Sequence, residues 1–429
     1  MRGLLPGIVT VLTVGTLFAG NIDILGIRSA EYLMELSRNA VYDNPDGVTY
    51  NPAGLAFMDD GFHMSFGYQY VGKNYTIDGT WVGSTDETQV ETNTPTLFIP
   101  NLYAVYKTGQ FAAFGGFNAP AGGGSLEYDK GLFFMPRLES FLVQAQYGPN
   151  FFAMLNDGHM EGSSVYLGGV AGVSYAFSDK LGAGIAGRYT HGQRNYKGNA
   201  SFTVIDAETM ETAGTVTEEL DVERSASGMS GVLSIHYRPV PTVNLAARYE
   251  TATAMEFEST ANTESNWEAI LPYLADGALQ RRDLPAVAAI GVDFAVNPNL
   301  RLGASGNYYF VENADQGEDD GINDAYEDGW EASISSRYQI SEKVAGALGY
   351  SYSNYGGCDS TYTDLEYNLN AGLISGGVNW QATDAVDFTA ALGQVFFEEG
   401  EGLGTYEGET YNKSVFFFAF GVNAFFGTL

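Results

Sequence analysis

The chain has 429 residues, 45% of them hydrophobic and only 17% charged, with 54 Gly, 28 Tyr, 27 Phe and a formal charge of −32. That length exceeds one ordinary domain unless the domain is a barrel, and abundant glycine and aromatics with few charges suit many strands, tight turns and aromatic girdles. The acidity excludes nucleic acid and a polybasic membrane-surface binder, and the single cysteine, Cys358, excludes a disulfide framework and a cysteine-built zinc site.

In chain order, residues 1–20 read as a signal peptide. Arg2 is a thin positive start, residues 4–18 are apolar but broken by Pro6, Gly7 and Gly15, and Ala19 and Gly20 suit cleavage. No later segment offers about 18 consecutive apolar residues, so membrane residence is expected only as a barrel. Residues 21–60 are mixed, with helical spacing over 27–40 that puts Leu33, Leu36 and Ala40 on one face. The segment runs into YNPAGLAFMDDGF (50–62). Asn51 is turned away from helix by the following proline, Pro52 fixes its own φ, and Gly54 permits a sharp bend. Asn51, Pro52, Ala53 and Gly54 are therefore expected to form a compact turn.

Alternation begins directly after it. Phe62, Met64, Phe66, Tyr68 and Tyr70 recur at period two with His63, Ser65, Gly67 and Gln69 between them, as in a strand with a lipid-facing outside and a polar lumen. Similar segments follow near 97–107, 111–119, 163–177, 180–195, 218–238, 242–257, 284–296, 299–311, 330–340, 343–355, 366–381, 385–398 and 412–427. The total is about fourteen, an even number, as bacterial single-chain barrels have. Short connections such as KTGQ (107–110), FSDK (177–180) and VNPN (296–299) alternate with long ones at 120–162, 196–217, 258–283, 312–329, 356–365 and 399–411. The expected fold is all-β: a transmembrane antiparallel β-barrel of about 14 strands over 61–429. Its lumen is too wide for side chains alone to fill, and the N-terminal segment 21–60 is its natural plug, or hatch. A soluble all-β sandwich fits the aromatic density and the signal peptide poorly.

Three segments in order carry a resemblance: YNPAGLAFM (50–58), NLYAVYKTGQFAAFGGFNAPAGG (101–123) and RRDLPAVAAIGVDFAVNPNLRLGASGNYYF (281–310). They resemble, respectively, the Asn-Pro-Ala hatch motif, a strand-turn-strand with an Asn-Ala-Pro ending, and a Leu-Pro strand start with its hairpin in the FadL/TodX family. These are outer-membrane transporters of long-chain fatty acids and other hydrophobic compounds, and the similarity covers nearly the whole mature chain. The resemblance implies residence in the bacterial outer membrane and no enzymatic activity. It also implies capture of ligand in an extracellular apolar groove, an interior site gated by the hatch at 51–54, and sideways release beside a kinked third strand.

Local chemistry bears on each expectation. The third strand contains Gly115 and Gly116 and ends at Pro120. Paired glycines permit a bulge or kink and proline removes a ladder donor, although glycines equally make room for a plug. The loop 120–162 is too apolar for bare solvent. Leu132, Phe133, Phe134 and Met135 precede a helix expected over 138–147 that carries Phe141 and Leu142. Phe151, Phe152, Met154 and Leu155 follow Pro149, which suits the first turn of another helix. A second loop supplies Trp267, Ile270, Leu271, Tyr273 and Leu274. Two such loops make a greasy cleft if their apolar faces meet, or a lid packed only on itself. For a ligand carboxylate the candidates are Arg137, Arg188, Arg248, Arg281 and Arg282, each with the competing prospect of a lumenal Asp or Glu.

The four scattered histidines show no metal-ligand spacing. His63 and Ser65 share a strand face, but on the lumenal side, whereas a barrel hydrolase needs its pair on the outer wall. In the acidic loop DQGEDDGINDAYEDG (315–329), Glu318, Asp320, Gly321 and Glu327 match a calcium loop, but Gln316 spoils its first position; a solvated loop fits better. No P-loop, nucleotide or haem motif is present, so no cofactor and no metal are expected. The expected partners are a long-chain fatty acid or other hydrophobic small molecule and outer-membrane lipid, with the barrel a monomer. The competing reading is a general diffusion porin or structural surface barrel with a static plug, which has no use for apolar loops.

Overall fold

Strict alternation builds the wall. In β1 (Gly61–Thr80) Phe62 and Phe66 face outward and are exposed, while His63, Ser65, Gln69 and Lys73 face inward and are buried. The same period carries Ile290, Ile334 and Leu348 to the outside of later strands. The computed structural model describes residues 26, 28–317 and 325–427. The signal peptide expected at 1–20 lies outside the described residues, as do Glu318, Asp320 and Gly321 of the calcium-like pattern.

With short extra strands in the outer loops, thirteen further strands complete the wall: β2 (Thr96–Thr108), β3 (Phe111–Asn118), β4 (Phe151–Ser178), β5 (Leu181–Asp206), β6 (Thr212–Val240), β7 (Val243–Glu250), β8 (Ala286–Asn297), β9 (Leu300–Phe310), β10 (Gly329–Ser341), β11 (Val344–Asn354), β12 (Ala371–Thr383), β13 (Val386–Phe397) and β14 (Thr410–Gly427). Each pairs antiparallel with its neighbours in chain order, and β1 pairs with β14 from Gly61↔Gly427 to Asp78↔Thr410. The ring of fourteen strands is therefore closed. Connections on the side of Gly61 and Gly427 are two residues long, as at 109–110 and 179–180.

On the other side the protein is more regular than its sequence suggests. Residues 196–217, expected as a long loop, are mostly strand: β5 and β6 continue as a hairpin in which Lys197 opposes Asp221 and Phe202 opposes Val216. β4 starts at Phe151, not near 163, and Pro149 lies in a turn before it instead of opening a helix. Above the apolar belt neither strand face has to be apolar. The period-two signal fades there while the ladder hydrogen bonds persist.

The hatch occupies the lumen. Its helix is shorter than the spacing predicts. α1 (Ala30–Met34) is capped by Ser29, whose hydroxyl accepts from the Tyr32 N–H at 2.9 Å, and stops at Glu35. Beyond it Asn39 donates to the carbonyls of Ile290 and Gly306, and Ser333 donates to the Leu36 carbonyl. Bonds to the wall thus replace those that a helix to residue 40 would make. Inward-facing glycines give the hatch its seat. A methyl group at Gly291 would lie 2.7 Å from the Ala40 nitrogen, at Gly303 2.9 Å from Ser37 Cβ, and at Gly184 3.0 Å from the Ala53 nitrogen. Buried Arg38 holds the hatch together, meeting Asp46 at 2.6 Å and Asp43 at 3.1 Å, and Arg301 of β9 pins it to the wall, reaching Asp43 at 2.8 Å.

Candidate functional site

The Asn-Pro turn is buried against the wall. α2 (Gly47–Tyr50) passes into a helical turn, Pro52–Phe57, with Asn51 between them. The Asn51 Oδ1 accepts from the Gly54 N–H at 3.2 Å. Its Nδ2 donates to the Val41 carbonyl at 3.2 Å and meets Nδ1 of His236 on β6 at 2.9 Å. That imidazole is fully buried, edge-on to Tyr42 and against Phe57. A Cβ on Gly54 would fall 2.4 Å from the Asn51 Nδ2. Asn51, Pro52, Ala53 and Gly54 are thus one buried unit, tied to the wall by a side-chain hydrogen bond.

Between the hatch and the outer loops lies a cavity of about 360 Å³, bounded by Arg28 on one side and Leu365 on the other. Val71, Tyr75, Ile99, Val395 and Phe417 give it apolar walls. Lys73 and Lys413 enter it from neighbouring strands, where Tyr75 lies opposite Lys413. The Lys73 Nζ donates to the carbonyls of Gly123 and Ser125 at 2.9 and 2.7 Å. The Lys413 Nζ donates to the Tyr367 carbonyl and lies 4.0 Å from the Tyr367 ring centroid and 4.8 Å from that of Tyr75. Among the described residues neither lysine has a carboxylate partner, in a chain with 52 Asp and Glu. Asn101 also lines the cavity, buried, with neither amide atom bonded.

The cavity reaches an interruption in the wall. β3 pairs with β2 only from Leu102↔Phe117 to Thr108↔Phe111 and leaves the ladder after Asn118. Residues 124–128 then pair with β4 and not with β2. Residues 96–101 of β2 therefore have no ladder partner on the β3 side among the described residues. Ile99, Pro100 and Asn101 form one rim of this slot, and Ala119, Ala121, Gly122 and Gly123 the other, all lining the cavity. Leu97 and Phe98 stand outside it, 69% and 58% exposed. Gly115 and Gly116 are not the break: both sit in register opposite Ala104 and Tyr103. A Cβ at Gly116 would lie 2.5 Å from the Tyr103 ring, so this glycine makes room for a side chain whose hydroxyl contacts Thr49 of the hatch. Pro120 is at the slot, and its carbonyl accepts from the N–H of Gly26.

The outer loops meet as a packed lid with a small cleft. α3 (Phe134–Tyr147) begins four residues before the expected helix, its first N–H donating to Asp364 at 2.8 Å. Leu132, Phe133, Met135 and Ile270 are buried in one cluster, with Phe141, Leu142, Phe151 and Leu155 packed on it. Phe152 and Met154 face the loop at Gly83. Phe134, Trp267, Leu271, Tyr273 and Leu274 line the cleft. The lid is locked by the Trp267 indole N–H, which donates to Glu139 at 3.2 Å. Burial, and then the nearby Glu218, push the Glu139 carboxyl up to about 7.

The five arginines proposed for a ligand carboxylate already hold carboxylates of the chain. Arg137 pairs with Glu409, Arg188 and Arg248 with Glu250 at 2.7 and 3.0 Å, Arg281 with Asp283 at 2.6 Å, and Arg282 with Glu366 at 2.8 Å. Of the five, only Arg282 lines the large cavity. Near the rim, Glu127, Asp129 and His159 bring one ligand atom each within 4.8 Å of one another, mostly exposed.

No family model matches the chain, and no curated protein matches it in sequence. Solved structures do match its fold. A FadL homologue from Pseudomonas aeruginosa aligns over 94% of this chain and 99% of its own, with a TM-score of 0.68 and 13% identity. The chain has the fold of the FadL and TodX barrels. The toluene transporter TodX of P. putida aligns over 94% and 100% with a TM-score of 0.67 at 15% identity. The toluene transporter TbuX of Ralstonia pickettii aligns over 94% and 99% with 0.63 at 16%. At such identities the FadL-type likeness is one of fold.

Proposed function

We propose that this FadL-type barrel lies in the bacterial outer membrane and takes up hydrophobic molecules with an anionic head, long-chain fatty acids foremost, releasing them sideways into the bilayer. The observation that carries this reading is a cavity with two lysines that lack carboxylate partners and that ends at a slot in the wall. A buried cation without an anion is costly, and a ligand carboxylate satisfies both lysines while its tail lies along Val71, Ile99 and Phe417. The outward apolar residues support residence in lipid. TodX and TbuX, which share the fold, are toluene transporters. Toluene offers no charge to Lys73 and Lys413, so these residues favour a carboxylate-headed cargo here.

In this reading the ligand is captured at the cleft between the outer loops, descends to the lysines and leaves between Ile99–Asn101 and Ala119–Gly123. The turn Asn51, Pro52, Ala53 and Gly54 latches the hatch, and the barrel works as a monomer without enzymatic chemistry. The ion pairs of Arg301 with Glu35 and Asp43 favour a hatch that stays seated, which sends cargo sideways and not down the lumen. They equally suit a barrel with a static plug and no cargo. Uptake of labelled hexadecanoate by a bacterium lacking its own transporter separates the two. It is expected with the wild-type chain and lost with Lys73→Gln plus Lys413→Gln at equal surface levels. Large steady ion conductance without uptake would support the porin.

A further inference from the structure

The large cavity and the cleft between the outer loops share four lining residues: Tyr196, Arg282, Leu365 and Glu366. Glu366 stands between the two spaces. Its carboxylate pairs with Arg282 at 2.8 Å and also with Arg194, which lines only the inner cavity. Arg194 donates in addition to the Tyr196 hydroxyl at 3.0 Å. Glu366 is presented by a tight turn. Its N–H donates to the carbonyl and to Oγ1 of Thr363, both at 3.1 Å, and the Thr363 N–H returns to the Glu366 carbonyl at 2.9 Å. This turn belongs to a loop and not to a barrel strand, so it can shift without breaking the wall. On the outer side Arg224 lines the cleft. It donates to the Gln280 Oε1 at 2.7 Å and lies 4.9 Å from the Tyr273 ring, with no carboxylate partner among the described residues.

We propose that Arg194 and Arg282 form a carboxylate-binding station between the cleft and the cavity, and that Glu366 fills it as a built-in surrogate which the ligand's anionic head displaces. This rests on the proposed function and adds its selectivity step. Two guanidinium groups offer the same donors to Glu366 and to a ligand carboxylate. The exchange conserves the number of ion pairs, and the tail gains apolar contact along Leu365 and Tyr196. A neutral chain cannot make the exchange, because releasing Glu366 would draw a carboxylate away from two guanidinium groups while the incoming chain brings no anion to replace it. The station therefore admits carboxylate-headed amphiphiles and holds back neutral ones of equal length.

The test is equilibrium binding of hexadecanoate and of hexadecanol to the purified full-length barrel, as wild type, Glu366→Gln and Glu366→Asp. Heat-dependent gel mobility confirms that each is folded. Removing the surrogate's charge removes an intramolecular competitor, so Glu366→Gln should bind hexadecanoate on the order of tenfold more tightly. Hexadecanol binding should not change, and Glu366→Asp should return hexadecanoate to the wild-type affinity. Hexadecanoate bound no more tightly by Glu366→Gln would overturn the station. The proposed function would still stand if Lys73→Gln with Lys413→Gln weakened hexadecanoate alone. Equal tightening of both probes would also overturn it, since that marks a steric effect. Failure of every form to bind either probe would overturn the proposed function and the station together.

Discussion

The N–H of Gly26 donates to the carbonyl of Pro120 at 2.8 Å. The leading end of the hatch is thereby joined to the rim of the slot where β3 leaves the wall. Any movement that widens the slot at Pro120 must break this bond or carry Gly26 with it, which couples the plug to the opening without displacing the ion pairs deeper in the lumen.

The Asn51 turn should act as a latch. Asn51→Ala removes the cap on Gly54 and the bond to His236, and leaves the buried Val41 carbonyl without this donor, at a cost of about 1–3 kcal/mol. The barrel should stay closed while amides of residues 47–57 exchange with solvent faster. Hydrogen exchange on the purified protein checks this, and unchanged protection there would remove the latch.

Replacing Lys73 and Lys413 by glutamine should weaken hexadecanoate binding by about tenfold or more, the loss of a charge-assisted pair. Binding of hexadecanol should be little affected. Parallel titrations with the two probes read the difference directly.

The outer lid should loosen as pH rises. Burial and Glu218 raise the Glu139 carboxyl to about 7 in the folded protein, against an ordinary value of 4.5. Between those values the folded lid binds more protons than the open one, so its docking is strongest near pH 4.5 and weakens as pH rises through about 7. Fluorescence of Trp267, followed from pH 5 to 8, should report the change. Glu139→Gln should hold the low-pH signal throughout.

The hatch should depend on Arg301. Glu35 is fully buried and Arg301 is one of its partners, and breaking a buried pair from one side costs about 3–5 kcal/mol. Arg301→Gln should raise ion conductance in planar bilayers as the plug becomes mobile. Desolvation in the lumen works against ionisation of Asp43, whose side chain is still 37% exposed, but Arg301, Arg38 and Arg337 outweigh it and hold this carboxyl well below the usual range. Its contribution is therefore complete at neutral pH and is lost only as pH falls below the ordinary carboxylate range.

The barrel was legible in the sequence because lipid on one side and a polar lumen on the other impose period two on every crossing strand. The turn at Asn51 was legible for a local reason, since Asn-Pro and Gly54 restrict the backbone whatever surrounds them. The hairpin of β5 and β6 beyond the belt was not, because nothing there forces one face to be apolar. Two of the arginine pairings had a readable signal: Arg248 with Glu250, and Arg281 with Asp283, stand two residues apart on an extended chain and so share a face. Lys73 also follows the inward set of His63, Ser65 and Gln69, so its direction was readable. Its lack of a carboxylate was not, because that depends on what β14 and the loop at Tyr367 bring to it. The expected kink at Gly115 and Gly116 is not where the ladder ends, while Pro120, expected with them, is at the slot. Gly116 serves the packing of Tyr103, and the break follows Asn118.

The most direct test of sideways release fills the slot. Ala119 lies on its rim, half-buried, beside the cavity, and Ala119→Trp should close the gap while leaving Lys73 and Lys413 in place. Uptake of labelled hexadecanoate by cells carrying this variant should fall to background, with hexadecanoate binding to the purified protein retained. Uptake at the wild-type rate, with the variant folded and the tryptophan in the slot, would mean that the cargo leaves by another path.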